Sequence, residues 1–209
     1  MSVDPRRLAP LRRNLGFLRR WLKNPKAVGA VMPSGRSLAS AMVAGIDLKA
    51  PGAVVELGGG TGSITAALLE AGVPAAELAV VERDPGFAEI IARRFPEVRL
   101  LRGDGADLRR LLRQAGIDQL KAVVSRLPLL SIPERACLRI ISEAMAALND
   151  GGVLVQFTYG PASPVSRRIA TRLDLQSERI GWVVDNVPPA SVWRYRQAEA
   201  DSLLRKRSA

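Results

Sequence analysis

One stretch of the sequence decides the fold: Val54-Val55-Glu56-Leu57-Gly58-Gly59-Gly60-Thr61-Gly62-Ser63. An apolar run ends in Glu56, a turn dense in glycine follows, and an amphipathic pattern resumes at Ile64. This order predicts a buried parallel strand that ends in a tight loop and is followed by a helix. Glycines let a backbone approach a ligand closely, and a helix N-terminus offers unpaired N–H groups. The stretch therefore predicts a loop that holds a nucleotide-like cofactor.

The spacing of the glycines indicates which cofactor this is. A dinucleotide fingerprint would need a further glycine at Ser63, and the Gly-Lys-Ser/Thr of a triphosphate-binding loop is absent from the sequence. The pattern that fits is Glu-x-Gly-x-Gly-x-Gly, formed by Glu56, Gly58, Gly60 and Gly62. An acid before the glycines would repel a pyrophosphate but suits a cationic ligand with an amino group. The segment resembles motif I of the class I S-adenosylmethionine-dependent methyltransferases; a plain glycine-rich turn is the alternative.

The composition of the 209 residues excludes several classes of site. The chain has no histidine and a single cysteine, Cys137, so an internal disulfide and a cysteine-built zinc site are excluded, and we expect no metal centre. No apolar run approaches the roughly 18 residues of a membrane span, and no secretory signal opens the chain. We expect a cytoplasmic protein.

The net charge of +11 is concentrated near the N-terminus. Residues 1–36 hold nine Lys/Arg and one acid, which gives +8 and leaves only +3 for the rest. Within them, residues 4–23 predict a basic amphipathic helix. Its apolar side includes Leu11, Leu15, Phe17, Leu18 and Trp21, and its flanks include Arg12, Arg13, Arg19 and Arg20. An anionic membrane surface is the favoured partner of such a helix, ahead of packing on the domain and of nucleic acid.

The rest of the chain alternates between strand and helix patterns. Predicted strands cover 53–57, 78–82, 98–102, 121–125 and 153–158, and two more, 178–185 and 190–197, form a hairpin-like end. This rhythm predicts an α/β fold, a doubly wound Rossmann-like sheet that is mostly parallel with an antiparallel C-terminal strand. Residues 1–50 are assigned to the amphipathic helix and a second, lid-like helix, and residues 51–209 to the cofactor domain.

Two more acids lie at successive predicted strand ends. Glu82 can accept both ribose hydroxyls of a nucleoside, and Asp104 can accept its adenine amino group. Ligands of such sheets bind at the carboxyl edge of the strands, where Glu56, Glu82 and Asp104 would meet. The other predicted cofactor contacts are Thr61, Arg83, Gly105 and Ser125.

The segment Ser125-Arg126-Leu127-Pro128-Leu129 falls where these enzymes place a substrate-facing motif. The rRNA adenine dimethyltransferases carry Asn-Leu-Pro-Tyr/Phe there, with the Asn on the base amine and the aromatic ring stacked on the base. Here Ser125 is read in place of the Asn, and Leu129 in place of the aromatic residue. Because a planar base loses its stacking partner, a non-aromatic amine is the expected substrate.

Taken whole, the chain resembles the bacterial phospholipid N-methyltransferases. The pieces that carry the resemblance are the basic helix, the Val31-Met32-Pro33-Ser34 turn, motif I, Val81-Glu82, Gly103-Asp104, residues 125–129 and Gln156-Phe157-Thr158-Tyr159-Gly160-Pro161. The resemblance implies stepwise methylation of phosphatidylethanolamine to phosphatidylcholine on the cytosolic membrane face, with S-adenosylhomocysteine as the other product. An rRNA adenine methyltransferase is the alternative function, although no nucleic-acid partner is expected, and a membrane-associated binding protein is a further one.

The predicted catalytic residues are Tyr159, Ser125 and Arg126. An alkyl amine must lose a proton before it accepts a methyl group, and the chain has no histidine to take it. A carboxylate, a tyrosine or water must therefore take it, and we expect Tyr159 to line the pocket, where its ring would favour a methylammonium. Trp182, Trp193 and Tyr195 are weaker candidates for this role, and Arg126, Arg167 and Arg168 are candidates for a lipid phosphate.

Overall fold

A computed structural model of the chain describes residues 34–186 and 188–198. The predicted amphipathic helix at 4–23, with Leu11, Trp21 and their neighbours, lies outside the described residues. The extent of this helix and its membrane contact therefore remain predictions.

The described residues form helices and strands in alternation. The helices are α1 (Ser34–Val43), α2 (Ser63–Glu70), α3 (Pro85–Arg94), α4 (Leu108–Ala115), α5 (Glu134–Ala147) and α6 (Arg167–Arg172). The strands are β1 (Ala53–Leu57), β2 (Leu78–Glu82), β3 (Arg99–Arg102), β4 (Leu120–Ser125), β5 (Leu148–Tyr159), β6 (Leu175–Val183) and β7 (Ala190–Gln197). The predicted strands are all present, but β5 and β6 begin earlier than predicted.

These strands form one sheet in the order β3-β2-β1-β4-β5-β7-β6. All neighbouring pairs from β3 to β5 are parallel, and β7 runs antiparallel to both β5 and β6. The predicted fold class is confirmed. The carboxyl ends of β1 to β5 therefore lie along one edge, with Leu57, Ser125 and Gln156 in register across the three central strands.

Two apolar cores cover the two faces of the sheet. Helices α1, α2 and α3 pack on one face, through side chains such as Met42, Leu68 and Ile91, and α4, α5 and α6 pack on the other. Strand β2 is paired on both sides, and all five of its residues are buried, as expected for a parallel strand covered on both faces. Because α1 packs into the first core, its residues belong to the folded domain, while the predicted division at residue 50 stays a prediction.

The C-terminal hairpin brings a loop to the same edge as the ends of β1 to β5. Ala190, the first residue of β7, pairs with Tyr159 of β5 and with Val183 of β6. The loop between β6 and β7 therefore begins beside the end of β5. The Ser37 hydroxyl of α1 donates to Asp185 of this loop at 2.6 Å, so α1 is fastened to the edge as well.

Candidate active site

Glu56 lies beneath the glycine loop and is completely buried. The Thr65 hydroxyl of α2 donates to its Oε2 at 2.5 Å, while Oε1 has no hydrogen-bond partner among the described residues. Burial raises the pKa of Glu56 to about 7, and the Thr65 bond and the nearby charge of Arg126 offset part of this rise. A buried carboxyl with an unused oxygen is suited to an amino group that brings its own positive charge.

Glu82, at the end of β2, joins the loop to the next strand. Its Oε2 accepts the Gly60 N–H at 3.0 Å, and its Oε1 accepts the Asp84 N–H at 2.8 Å. These bonds fix both carboxylate oxygens in place while each retains a lone pair. Glu82 is 7% exposed, so the carboxylate is close to the surface of the edge without projecting from it.

Asp104 follows β3 and is more exposed than the other two acids. Its Oδ1 accepts the Ala106 N–H at 2.9 Å, and its Oδ2 lies 3.2 Å from Arg83 Nη1. Gly105, directly after it, is buried. Glu56, Glu82 and Asp104 thus lie at or just after the carboxyl ends of three adjacent strands, β1, β2 and β3, as predicted for ligands of the sheet edge.

The loop geometry requires glycine at several positions. Gly60 and Gly62 have φ of +52° and +81°, which side-chain-bearing residues rarely adopt. A Cβ on Gly62 would also lie 2.4 Å from Phe95 Cε2, and a Cβ on Gly60 would lie 3.0 Å from Arg126 Nη1. The loop therefore packs closely against α3 on one side and against Arg126 on the other.

Arg126 is the substrate-motif side chain that reaches the glycine loop. Its Nη1 donates to the Gly59 carbonyl at 3.2 Å and lies 3.5 Å from the Ser63 hydroxyl. Its backbone N–H donates to the Leu57 carbonyl at 3.1 Å, which continues the pairing of β4 with β1. Arg126 is the first residue after β4, and this position places its guanidinium next to the cofactor loop.

Ser125 has a different position. It is 1% exposed, and its hydroxyl accepts the Leu127 N–H at 3.3 Å, so it shapes the turn from inside. Counting back from Leu127-Pro128, the residue that matches the Asn of the adenine dimethyltransferases is Arg126, one position later than the sequence reading placed it. Leu129, which stands in the aromatic position, is buried at 4% exposure.

Tyr159, at the end of β5, lies on the same face of the sheet as Glu56. It packs edge-to-face with Phe157, with ring centroids 5.5 Å apart, and against the core formed with α1 to α3. Burial raises its pKa above the ordinary 10, while a hydrogen bond with Asn186 and the charge of Arg126 act in the opposite direction. The Tyr159 phenol is therefore protonated at neutral pH, and its ring lies within the electrostatic reach of Arg126.

The other predicted aromatic and basic candidates are placed elsewhere. Tyr195 is fully buried in the opposite core, 2.8 Å from the Ser163 hydroxyl, and Trp193 packs against that same core. Neither ring shares a face with Tyr159. Arg168 lies 3.8 Å from Glu134, and the side chains of Arg167 and Arg168 are exposed at the start of α6.

Sequence reasoning missed three residues that support the site. Thr65 holds Glu56, Asn186 contacts Tyr159, and the buried Gln156 donates to the Leu127 carbonyl at 3.1 Å. Thr65 could have been found from its position in the first turn of the helix that follows motif I, since that turn lies next to the acid of the motif. Asn186 gave no such signal because it reaches the site only through the hairpin fold.

The fold defines a class. The structure resembles magnesium protoporphyrin IX methyltransferase from Synechocystis PCC 6803 with bound S-adenosylmethionine, at a TM-score of 0.59 and 15% identity over 78% of each chain. It also resembles the glycopeptide N-methyltransferase MtfA in complex with S-adenosylmethionine, at a TM-score of 0.61 and 12% identity over 78% of this chain and 94% of that one. The Synechocystis enzyme has also been solved with S-adenosylhomocysteine. The chain has the class I S-adenosylmethionine-dependent methyltransferase fold, and these ligands agree with the predicted cofactor and product.

A relative narrows the class. No model of a known protein family matches the chain. An ornithine lipid N-methyltransferase from Singulisphaera acidiphila is 32% identical over 185 residues, covering 85% of this chain and 92% of that protein. The chain belongs to the methyltransferase family that includes this enzyme.

Proposed function

We propose that the protein transfers methyl groups from S-adenosylmethionine to the primary amine of a membrane aminolipid. The observation that carries this proposal is the match to the ornithine lipid N-methyltransferase, which spans nearly the whole of that protein. The match covers a larger share of the chain than the described residues do, so it includes part of the terminal segments. An ornithine-type aminolipid is accordingly the first acceptor to test.

The residues of the site fit the proposed cofactor. Glu56 would hold its amino group, Glu82 its ribose hydroxyls and Asp104 its adenine, and the unpartnered Oε1 of Glu56 supports the first of these roles. S-adenosylmethionine supplies a methyl group on a positively charged sulfur. The chain contributes positioning, exclusion of water and electrostatic stabilisation, which are the main requirements of such a transfer.

The acceptor amine must be neutral when it reacts, although a free alkyl amine has a pKa of about 10. The raised pKa of Tyr159 means that its phenolate is scarce at neutral pH, so a role for Tyr159 as a strong base is disfavoured. We assign Tyr159 to orienting the amine through the face of its ring, and we assign the proton of the amine to water. The ring face would then also favour the methylated ammonium product.

Phosphatidylethanolamine is the second candidate acceptor. It is favoured by the resemblance of Leu127-Pro128-Leu129 and of residues 156–161 to the phospholipid N-methyltransferases. The adenine alternative is disfavoured by the same segment, since a cation stands in the Asn position and the aromatic position holds a buried leucine. A base there would lack both its amine partner and its stacking surface.

The proposal places the enzyme on the cytosolic face of a membrane, held by the basic segment at residues 4–23. Among the described helices, none combines the length and the hydropathy that crossing a bilayer requires. The concentration of positive charge before residue 37 supports attraction to anionic lipid.

A lipid-methylation assay tests the function. Full-length protein is incubated with methyl-labelled S-adenosylmethionine and vesicles that contain ornithine lipid, phosphatidylethanolamine or no aminolipid. We expect label in the extracted lipid and successive additions of one methyl mass in at least one aminolipid sample. A parallel sample contains RNA in place of the vesicles. Label in that RNA, or the absence of label from every lipid sample, would contradict the proposal.

The membrane contact is tested separately with Leu15→Glu combined with Leu18→Glu. We expect loss of co-sedimentation with anionic vesicles and an unchanged affinity for S-adenosylhomocysteine, because the helix carries the membrane contact and the sheet edge carries the cofactor site. An equal fall in both would mean that the helix is part of the fold or of a lid.

A further inference from the structure

One basic side chain of the described domain forms no ion pair although it is partly removed from solvent. Three of its Lys and Arg side chains are not exposed: Lys121, Arg126 and Arg194. Lys121 pairs with Glu77 at 3.3 Å, and Arg194 pairs with Glu178 at 2.6 Å. Arg126 forms no ion pair with any described residue, and its side chain donates only to the neutral oxygens of Gly59 and Ser63.

A half-buried guanidinium without an ion pair has unused hydrogen-bond donors. It carries five N–H donors in a planar fork that matches the two oxygens of a carboxylate or a phosphate. Partly desolvated charges in proteins are usually paired, because an unpaired one is costly. An anion that enters the site would therefore find a strong partner at Arg126.

The position of Arg126 indicates which molecule supplies the anion. The acids that fit the cofactor lie at the carboxyl ends of β1, β2 and β3, whereas Arg126 follows β4, on the side of the sheet order that leads to β5 and Tyr159. The Arg126 guanidinium lies against the cofactor loop, 3.2 Å from the Gly59 carbonyl, and its charge also acts on Tyr159, so it stands between the cofactor half and the acceptor half of the edge. An anion bound there would lie beside the amine that Tyr159 is assigned to orient.

We propose that Arg126 binds the acidic group of the acceptor, so that the site selects a zwitterionic headgroup with a primary amine and an anion separated by a short carbon chain. This inference rests on the proposed function and narrows its substrate class. Two lipids supply this chemistry: N-acylated ornithine lipid through a carboxylate and phosphatidylethanolamine through a phosphate. A cationic aminolipid without an acid would leave Arg126 unpaired and place a second positive charge near it.

The test compares acceptors in wild type, Arg126→Met, Arg126→Lys and the control Arg135→Met, which removes an exposed arginine of α5. The acceptors are ornithine lipid, phosphatidylethanolamine and a cationic lipid with the same primary amine and no acid, each in micelles of a neutral detergent. We expect Arg126→Met to lower kcat/KM about tenfold to a hundredfold on the zwitterionic acceptors, mainly through KM, because a charge-assisted hydrogen bond is lost. On the cationic lipid we expect a change of less than about threefold.

The variants and a binding measurement separate the interpretations. Arg126→Lys should recover part of the loss because it restores the charge without the fork, and Arg135→Met should behave as wild type. Calorimetric affinity for S-adenosylhomocysteine should stay within about twofold of wild type in Arg135→Met. In the Arg126 variants it should fall much less than kcat/KM does, because the guanidinium contributes one hydrogen bond to the cofactor loop. The zwitterionic lipid with the larger loss in Arg126→Met identifies whether the anion is a carboxylate or a phosphate.

Two results would overturn the inference while leaving the proposed function intact. If the affinity for S-adenosylhomocysteine falls as much as kcat/KM, the guanidinium serves the carboxylate of the cofactor. If kcat/KM of Arg126→Met falls by the same factor on all three lipids, Arg126 does not bind the acidic group of the acceptor. A wild-type protein that binds S-adenosylhomocysteine but methylates none of the lipids would instead overturn the proposed function, and the inference with it.

Discussion

The two halves of the sheet edge differ in how their polar groups are satisfied. In the cofactor half, backbone N–H groups occupy both oxygens of Glu82 and one oxygen of Asp104. Within the described residues, Arg126 forms no ion pair at the boundary between the halves, and the buried Gln156 Oε1 has no hydrogen bond in the acceptor half. The difference indicates that the first half is preformed by the backbone, while the second half depends on its ligand to complete its interactions. Selection among acceptors should therefore be found in the second half.

The largest expected effect is on Glu82. Glu82→Gln removes the charge and one acceptor oxygen from the group that is assigned to the ribose and that also holds the Gly60 N–H. We expect the dissociation constant for S-adenosylhomocysteine to rise about a hundredfold or more, since two hydrogen bonds to a charged group contribute roughly 1.5–3 kcal/mol each. Isothermal titration calorimetry measures this, with the exposed Glu97→Gln as control. A rise below threefold would mean that the preformed carboxylate does not bind the cofactor.

The packing of the cofactor loop is tested by two glycines with similar φ. Gly62 and Gly72 have φ of +81° and +95°, but a Cβ would meet the Phe95 ring at Gly62 and open space at Gly72. We expect Gly62→Ala to lower the free energy of unfolding by about 3 kcal/mol, from backbone strain and overpacking together. Gly72→Ala, which has the strain alone, should cost about 1 kcal/mol. Denaturant unfolding gives both values, and equal losses would mean that the ring moves aside without cost.

The division between the cofactor half and the acceptor half also explains which parts of the site could be predicted from the sequence. Glu56, Glu82 and Asp104 were predictable because each lies at or just after the end of a strand of a parallel sheet, and such ends meet at one edge whatever the side-chain details. The contact of Asn186 with Tyr159 was not predictable, because the two residues are 27 positions apart in the sequence, with α6 and β6 between them.

The strands show the same limit. The start of β6 was missed because its residues 176–179 are exposed and polar, as edge strands often are, so the apolar pattern of a strand is absent. Pairing with β7 is what makes this segment a strand. The reach of Arg126 across the loop was likewise a matter of side-chain direction beyond the end of β4, which periodicity does not give.

Glu56 differs from the other two acids of the cofactor half, because its Oε1 has no hydrogen-bond partner among the described residues. The effect of this burial on stability can be measured by changing the pH. Its pKa is about 7 when folded against an ordinary 4.5, so the folded state favours the protonated carboxyl. This contribution to stability is complete below about pH 4.5 and is lost as the pH rises through 7. A shift of this size corresponds to about 3 kcal/mol.

Glu56→Gln imitates the protonated carboxyl at every pH. We therefore expect it to be more stable than wild type by about 3 kcal/mol at pH 8 without cofactor, and by much less at pH 5. Urea unfolding at the two pH values measures this difference. The variant should also bind S-adenosylhomocysteine more weakly than wild type at pH 8, since it lacks the charge for the amino group. A stability difference that does not vary with pH would show that the carboxyl of Glu56 is ionised at no unusual cost.

The smallest expected effect, at Tyr159, bears most directly on the division between the halves. Tyr159→Leu removes the ring face, and a cation–π contact of about 0.5–2 kcal/mol predicts a fall in kcat/KM of roughly threefold to thirtyfold. Tyr159→Phe keeps the ring and removes the hydroxyl that bonds Asn186, so it should retain most of the activity if the ring orients the amine. Both variants should bind S-adenosylhomocysteine as wild type does, because Tyr159 lies at the end of β5 and the cofactor acids lie at the ends of β1 to β3. If Tyr159→Leu weakens that binding by the same factor as it lowers kcat/KM, Tyr159 contacts the cofactor. The boundary between the cofactor half and the acceptor half then does not lie at β4.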